Sequence, residues 1–249
     1  MQVKDHTLIA KVSMLAGKIM LKSGAETYRV EDTMNRIAVA YGLKNVQSYA
    51  TPTGINFSSD IATDTHFNRI SNRSNDLHKI AEVNSVSRQI TAGELELKDA
   101  LKKLRDIENA KLNFPGWMQI IAAALVSGSF AMMFGGTWPD FIPSFIAGGL
   151  GYAAMLGFER LVEIRFMAEF FGSFIIGVTA FIFIYNGVGN ELDRIIIGAV
   201  MPLVPGLHIT NAVRDLMSGH LVAGISKGVE ATLTAFAIGA GVAVIFAFV

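Results

Sequence analysis

The stretch Lys111-Leu-Asn-Phe-Pro-Gly-Trp-Met-Gln-Ile-Ile-Ala-Ala-Ala-Leu-Val-Ser-Gly-Ser-Phe-Ala-Met-Met-Phe-Gly-Gly-Thr-Trp-Pro-Asp140 decides the architecture of this chain of 249 residues. No charged residue occurs between its two ends. A bilayer's hydrocarbon core is about 30 Å thick, so about 20 mostly apolar residues cross it as a helix. Trp117 to Gly136 meets that requirement, and Gly135-Gly136-Thr137 breaks the run. Further spans are expected at Trp138 to Phe158, from about Phe166 to Asn186, and from about Gly228 to Val249. Another begins near Arg194, runs apolar through Val200 and then meets Pro202 and Pro205-Gly206. Trp117, Trp138, Tyr152 and Tyr185 lie near span ends, where amphipathic rings prefer the interface. Residues 116–249 therefore read as an all-α polytopic membrane domain of about five transmembrane helices. A chain this short has no shell to bury five such segments as a soluble protein.

Working outward, the charges divide at the same place. Residues 1–116 hold 16 Lys+Arg and 13 Asp+Glu; residues 117–249 hold 5 and 8. The neutral total gives no reason to expect a nucleic-acid partner, and no dense basic cluster appears. The absence of cysteine excludes disulfides, cysteine-zinc sites and thiol catalysis. Lys11, Lys18 and Lys22 interrupt any apolar core of a signal peptide, so the first part is expected to stay on the side of synthesis, as a cytoplasmic domain over 1–115.

That domain reads as α+β. Residues 6–22 place Ile9, Val12, Leu15, Ala16 and Ile19 on one helical stripe, ended by Ser23-Gly24. A second helix runs from about Ala25 to Tyr41. Strands are expected at Val46–Ala50 and Ile55–Ser59 around the Thr51-Pro52-Thr53-Gly54 turn, with a third near Phe67–Ser71. Helices at Asn75–Ile90 and Leu95–Glu108 follow, and Thr91-Ala-Gly-Glu94 has the spacing of a capping box before the last.

Loop charges set the orientation. Arg160, Arg165, Arg214 and Lys227 fall on the side of the first domain, and Arg194 alone on the other, beside Asp140, Glu191 and Asp193. This is the positive-inside arrangement, and the odd span count puts the C-terminus outside. The break at Pro202 and Pro205-Gly206 frees backbone groups, which membranes tolerate only where protein buries them or a watery cavity receives them. Transporters bind substrates and ions at such broken helices. Beyond the break, a helix places His208, Asn211 and Asp215 on one face and Thr210 and Arg214 on the next. Arg214 suits a substrate carboxylate, because its planar fork matches one with two hydrogen bonds. Asp215 and His208 are candidates for a coupling proton, as is Glu169, about one turn inside the third span. The plainer alternative is a cytoplasmic loop with solvated or paired charges. Glu159 and Glu163, and Arg165 and Glu169, are also i, i+4 pairs suited to a polar turn. Gly148-Gly149-Leu-Gly151, Gly172, Gly177, Gly224 and Gly228 read as close helix packing. In the first domain, Glu26, Arg29 and Glu31 are a candidate site. His66, Asp60 and Asp64 cluster without matching a metal pattern.

Ser23-Gly-Ala-Glu-Thr-Tyr-Arg-Val-Glu-Asp32, the Thr51-Pro-Thr-Gly-Ile55 turn, and Pro202-Leu-Val-Pro-Gly206 with Asn211 to Asp215 resemble the threonine/serine exporter family over essentially the whole chain. Full-length members look like two fused halves of about ten spans. This chain is more similar to the large component of a split exporter, whose short second membrane protein supplies the remaining helices; one split pair is linked to succinate export. The resemblance implies proton-driven efflux of a small polar carboxylate across the inner membrane, with a small membrane-protein partner, a homo-oligomer, no cofactor and no enzymatic activity. Two other readings remain: a membrane-tethered hydrolase around His66, Asp60 and Asp64, and a sensory or assembly subunit.

Overall fold

The computed structural model describes residues 3–59, 62–110, 114–162 and 165–246. Asp60, Lys111 and Glu163 lie outside the described residues, as do the side chains of Asp64 and Arg165. The chain is mostly helical, with one small sheet near its N-terminus. It divides into two compact units, one of Met1–Lys111 with Leu207–Gly228, the other of Leu112–Gly206 with Val229–Val249.

In the first unit, α1 (Val3–Lys22) carries the expected apolar stripe, with Ile9, Val12, Ala16 and Ile19 buried and Leu15 packed at the edge. Gly24 ends it at φ +86°, a left-handed conformation in which a Cβ is costly. The amide of Ala25 then closes back onto Met20 O at 3.0 Å. Helix α2 (Thr27–Ala40) adds Val30, Met34 and Ile37 to the same core. Strands β1 (Gln47–Thr51), β2 (Gly54–Ser59) and β3 (Ala62–Arg69) form an antiparallel sheet in chain order. Thr51 pairs with Gly54 around Pro52-Thr53, and Ile55 and Phe57 turn inward to the core. The third strand starts five residues earlier than expected. Its Ala-Thr-Asp-Thr-His run lacks the apolar alternation that marks a half-buried strand, and none of residues 65–69 is buried.

Helix α3 (Leu77–Thr91) is capped by Asp76, which accepts from the Lys79 amide at 3.0 Å. Helix α4 (Leu97–Asn109) follows. The expected capping box at its start is not made. Thr91 belongs to the last turn of α3 and donates to Ser87 O and Arg88 O. Gly93, at φ +74°, takes the stop position of that helix, so the Thr-x-x-Glu spacing serves a helix end rather than a start. The N-cap of α4 is Glu96, without a side-chain bond.

The second unit contains α5 (Gly116–Met133), α6 (Trp138–Val162), α7 (Arg165–Tyr185) and α8 (Leu192–Val200), then a short 3-10 turn, Met201–Leu203. Small residues let these helices approach: a Cβ on Gly198 would stand 2.6 Å from Ala131 N, so only glycine fits. Asp140 accepts from the Thr137 and Asn190 amides, at 2.8 and 2.6 Å, and so ties two loops together. Helix α9 (Gly206–Met217) follows the proline break and belongs to the first unit from Leu207 onward. Helix α10 (Leu221–Phe246) begins in the first unit and continues into the second.

Among the described residues, four helices are long and apolar enough to cross a membrane, α5, α6, α7 and α10, or up to five if the interrupted pair Leu192–Leu203 and Gly206–Met217 counts as one span. The last helix starts seven residues before the expected Gly228, so Lys227 is helical rather than part of a loop. Its burial removes the solvent that a loop lysine would need and demands a partner instead.

Candidate functional site

The N-terminus of α2 organises a polar cluster in the first unit. Glu26, the N-cap residue, has an extended backbone and makes no side-chain cap. The first amides of the helix therefore need another acceptor. Asp215 of α9 supplies it from 188 residues away: Thr27 N donates to its Oδ1 at 2.8 Å, and Thr27 Oγ1 donates to its Oδ2 at 2.9 Å. A carboxylate is favoured there by the partial positive charge of a helix start. Lys227 Nζ donates to the same Oδ2 at 2.7 Å, and also to Ala25 O and Thr27 Oγ1 at 3.2 and 3.4 Å. Asp215 is fully buried and the Lys227 side chain is 7 % exposed. A buried ion pair repays its desolvation only with close geometry and satisfied donors, and both conditions hold here.

A second layer surrounds this pair. Arg214 donates from Nη1 to Glu26 Oε1 at 2.6 Å, and Arg29 Nη1 reaches Glu26 Oε2 at 3.0 Å. The Glu26 side chain is buried, whereas that of Arg214 is 55 % exposed. Burial pushes the Glu26 carboxyl up. Its own backbone amide, the Arg214 guanidinium and Arg29 together outweigh that and hold it below the usual carboxylate range. Asn211 Nδ2 donates to Gly24 O at 2.8 Å. Glu31 accepts from the Ala50 amide at 2.7 Å and stands 2.9 Å from His220 Nε2. The arrangement thus offers a half-exposed guanidinium held by a buried carboxylate, above a fully enclosed ion pair.

Two groups that the sequence suggests separately meet here: Glu26, Arg29 and Glu31 from α2 and its cap, and Asn211, Arg214 and Asp215 from α9. His208 is partly buried and Thr210 exposed on the same helix; Pro205 is buried just before it, and Gly206 begins it. Glu169 is buried on α7 in the second unit. His66 lies on β3, and no group of three His, Asp or Glu residues among the described residues forms a metal site. Thr27, His220 and Lys227 belong to the cluster without having been singled out. Lys227 carried a usable signal, an ionisable residue in the small-residue run before an apolar span.

The family described as "Putative threonine/serine exporter" matches residues 11–249. A "Probable succinate transporter subunit YjjP" from Escherichia coli (strain K12) is 24 % identical over 97 % of this chain and 95 % of its own length. A "Threonine/serine exporter" from Corynebacterium glutamicum is 25 % identical over 96 % of this chain but 51 % of its own length. A "Probable threonine/serine exporter" from Mycobacterium tuberculosis is 22 % identical over 88 % of this chain and 42 % of its own length. The chain therefore spans about half the length of the relatives named for threonine and serine, and nearly all of the one named a succinate transporter subunit. No solved structure matches it.

Proposed function

The chain belongs to the threonine/serine exporter family, and on that premise we propose that it is the large subunit of a two-component secondary exporter. It moves a small carboxylate, threonine and serine or a dicarboxylate such as succinate, outward across the inner membrane on the proton gradient. A short membrane partner supplies the helices that the longer relatives carry in one chain. The first unit lies in the cytoplasm, since Arg160 and Arg214 fall on its side by span order and Glu191 and Asp193 on the other.

The observation that carries this reading is the Arg214–Glu26 pair: a guanidinium more than half exposed, bonded to a carboxylate that is buried. A substrate carboxylate competes with Glu26 for the planar fork of Arg214. Arg214 therefore holds either Glu26 or the substrate carboxylate, not both at full strength. Asp215, enclosed by Lys227 and Thr27, holds α9 against the start of α2 while that exchange occurs.

The test is efflux of labelled threonine and succinate from loaded vesicles holding this chain and a candidate small partner. Arg214→Ala is expected to lower export at least tenfold. Wild-type export by Arg214→Ala refutes the anchor role.

A further inference from the structure

A cavity in the first unit, of about 430 Å³, opens among α1, β3 and α4, and is lined by none of the residues assigned to the polar cluster. Its size falls in the range of small-molecule sites. Three cations line it: Lys11 and Lys18, two turns apart on α1, and Arg105 on α4. Among the described residues the single acid in its wall is Glu108, and Lys18 already pairs with that carboxylate at 2.8 Å. Lys11 and Arg105 have no ion pair or side-chain hydrogen bond among the described residues, so the wall carries two unbalanced positive charges. Ala10 and Met14 form a buried apolar floor, and Phe67, 64 % exposed, adds an aromatic face.

We propose that this cavity binds a small organic dianion, a dicarboxylate or a phosphate monoester, as a site separate from the Arg214 cluster. Two acid groups match the two unpaired cations, and a guanidinium and an ammonium both bond such oxygens well. The apolar floor rewards a carbon body that a bare inorganic ion lacks. A zwitterionic amino acid is rejected, because its ammonium meets Lys11 or Arg105. The site does not rest on the transport reading, since export can fail while the cavity still binds.

The experiment is calorimetric titration of the full chain carrying Arg214→Ala, which removes the other proposed carboxylate anchor, in detergent micelles with succinate, phenyl phosphate, inorganic phosphate and threonine. At least one organic dianion is expected to bind, with threonine silent and inorganic phosphate weaker. Phenyl phosphate as the tighter ligand identifies the monoester class, and succinate the dicarboxylate class. Lys11→Gln and Arg105→Gln, both at exposed positions, each weaken binding about tenfold or more. The proposal is overturned if no organic dianion binds, if threonine or inorganic phosphate binds as tightly as the organic dianions, or if binding survives the Lys11/Arg105 double variant.

Discussion

Replacing Lys227 by methionine removes one half of the buried pair while keeping most of the side chain's volume. Asp215 then retains only the amide and hydroxyl of Thr27 for a carboxylate with no solvent exposure. Breaking a buried ion pair from one side costs about 3–5 kcal/mol, because the remaining charge stays desolvated without its counter-ion. Arg36 and Asp32 provide an internal control. They are 2.9 Å apart, nearly the same separation, but their side chains are 61 % and 57 % exposed. An exposed pair of that kind contributes about 0–1 kcal/mol. Separation is therefore closely matched, while burial differs sharply. The assay is urea unfolding of the full chain in micelles, paired with hydrogen exchange at the first amides of α2. Lys227→Met is expected to lower stability several times more than Arg36→Met, and to expose the Thr27 amide to exchange. Adding Asp215→Asn to Lys227→Met removes the stranded charge and recovers part of the loss. Equal effects of the Lys227 and Arg36 variants, or a double variant weaker than Lys227→Met alone, would refute the reasoning.

Other outcomes follow from the same geometry. The Glu26 carboxyl is held below its ordinary value of 4.5, so its contribution to stability is complete above that value and is lost as pH falls through the lower folded value. Glu26→Gln should flatten the acid limb of an unfolding profile there, and an unchanged limb counts against the Arg214–Glu26 pairing. Gly24→Ala should cost about 1–2 kcal/mol from the left-handed backbone alone. Its Cβ would also meet Asn75 Oδ1 at 2.8 Å, and a thermal melt that does not move would contradict the conformation. Tyr41 donates to Leu95 O at 3.0 Å, and burial with the nearby Asp99 charge raises its phenol to about 12. Tyr41 should therefore ionise late in an alkaline absorbance titration, and the late amplitude should shrink in Tyr41→Phe. The stability that Tyr41 adds is lost as pH rises from 10.0 to about 12.

Much of the fold was legible because its signals are local. Apolar runs longer than a bilayer is thick mark α5, α6 and α7 directly, and glycines at the ends of α1 and α3 stop those helices through their own backbone freedom. Misreadings arose where a local pattern had two uses. Thr91-Ala-Gly-Glu94 has the spacing of a helix start, but Gly93 makes it a helix end. The β3 sequence lacks an apolar face because none of residues 65–69 enters the core. Lys227 resembled a loop charge because it stands immediately before the apolar run that begins at Gly228.

What the sequence determined by itself was the inventory: the apolar spans, the proline break at Pro202 and Pro205, and the polar residues on either side of it. Only the tertiary structure decided that α9 and the first turns of α10 belong with the N-terminal unit, and that Glu26 meets Arg214 while Thr27 meets Asp215. The reason is range. Hydropathy and helix stops act over a few residues, whereas a helix start left without its own cap, and a lysine buried without a neighbour, are satisfied only by groups that folding brings from 188 and 12 residues away.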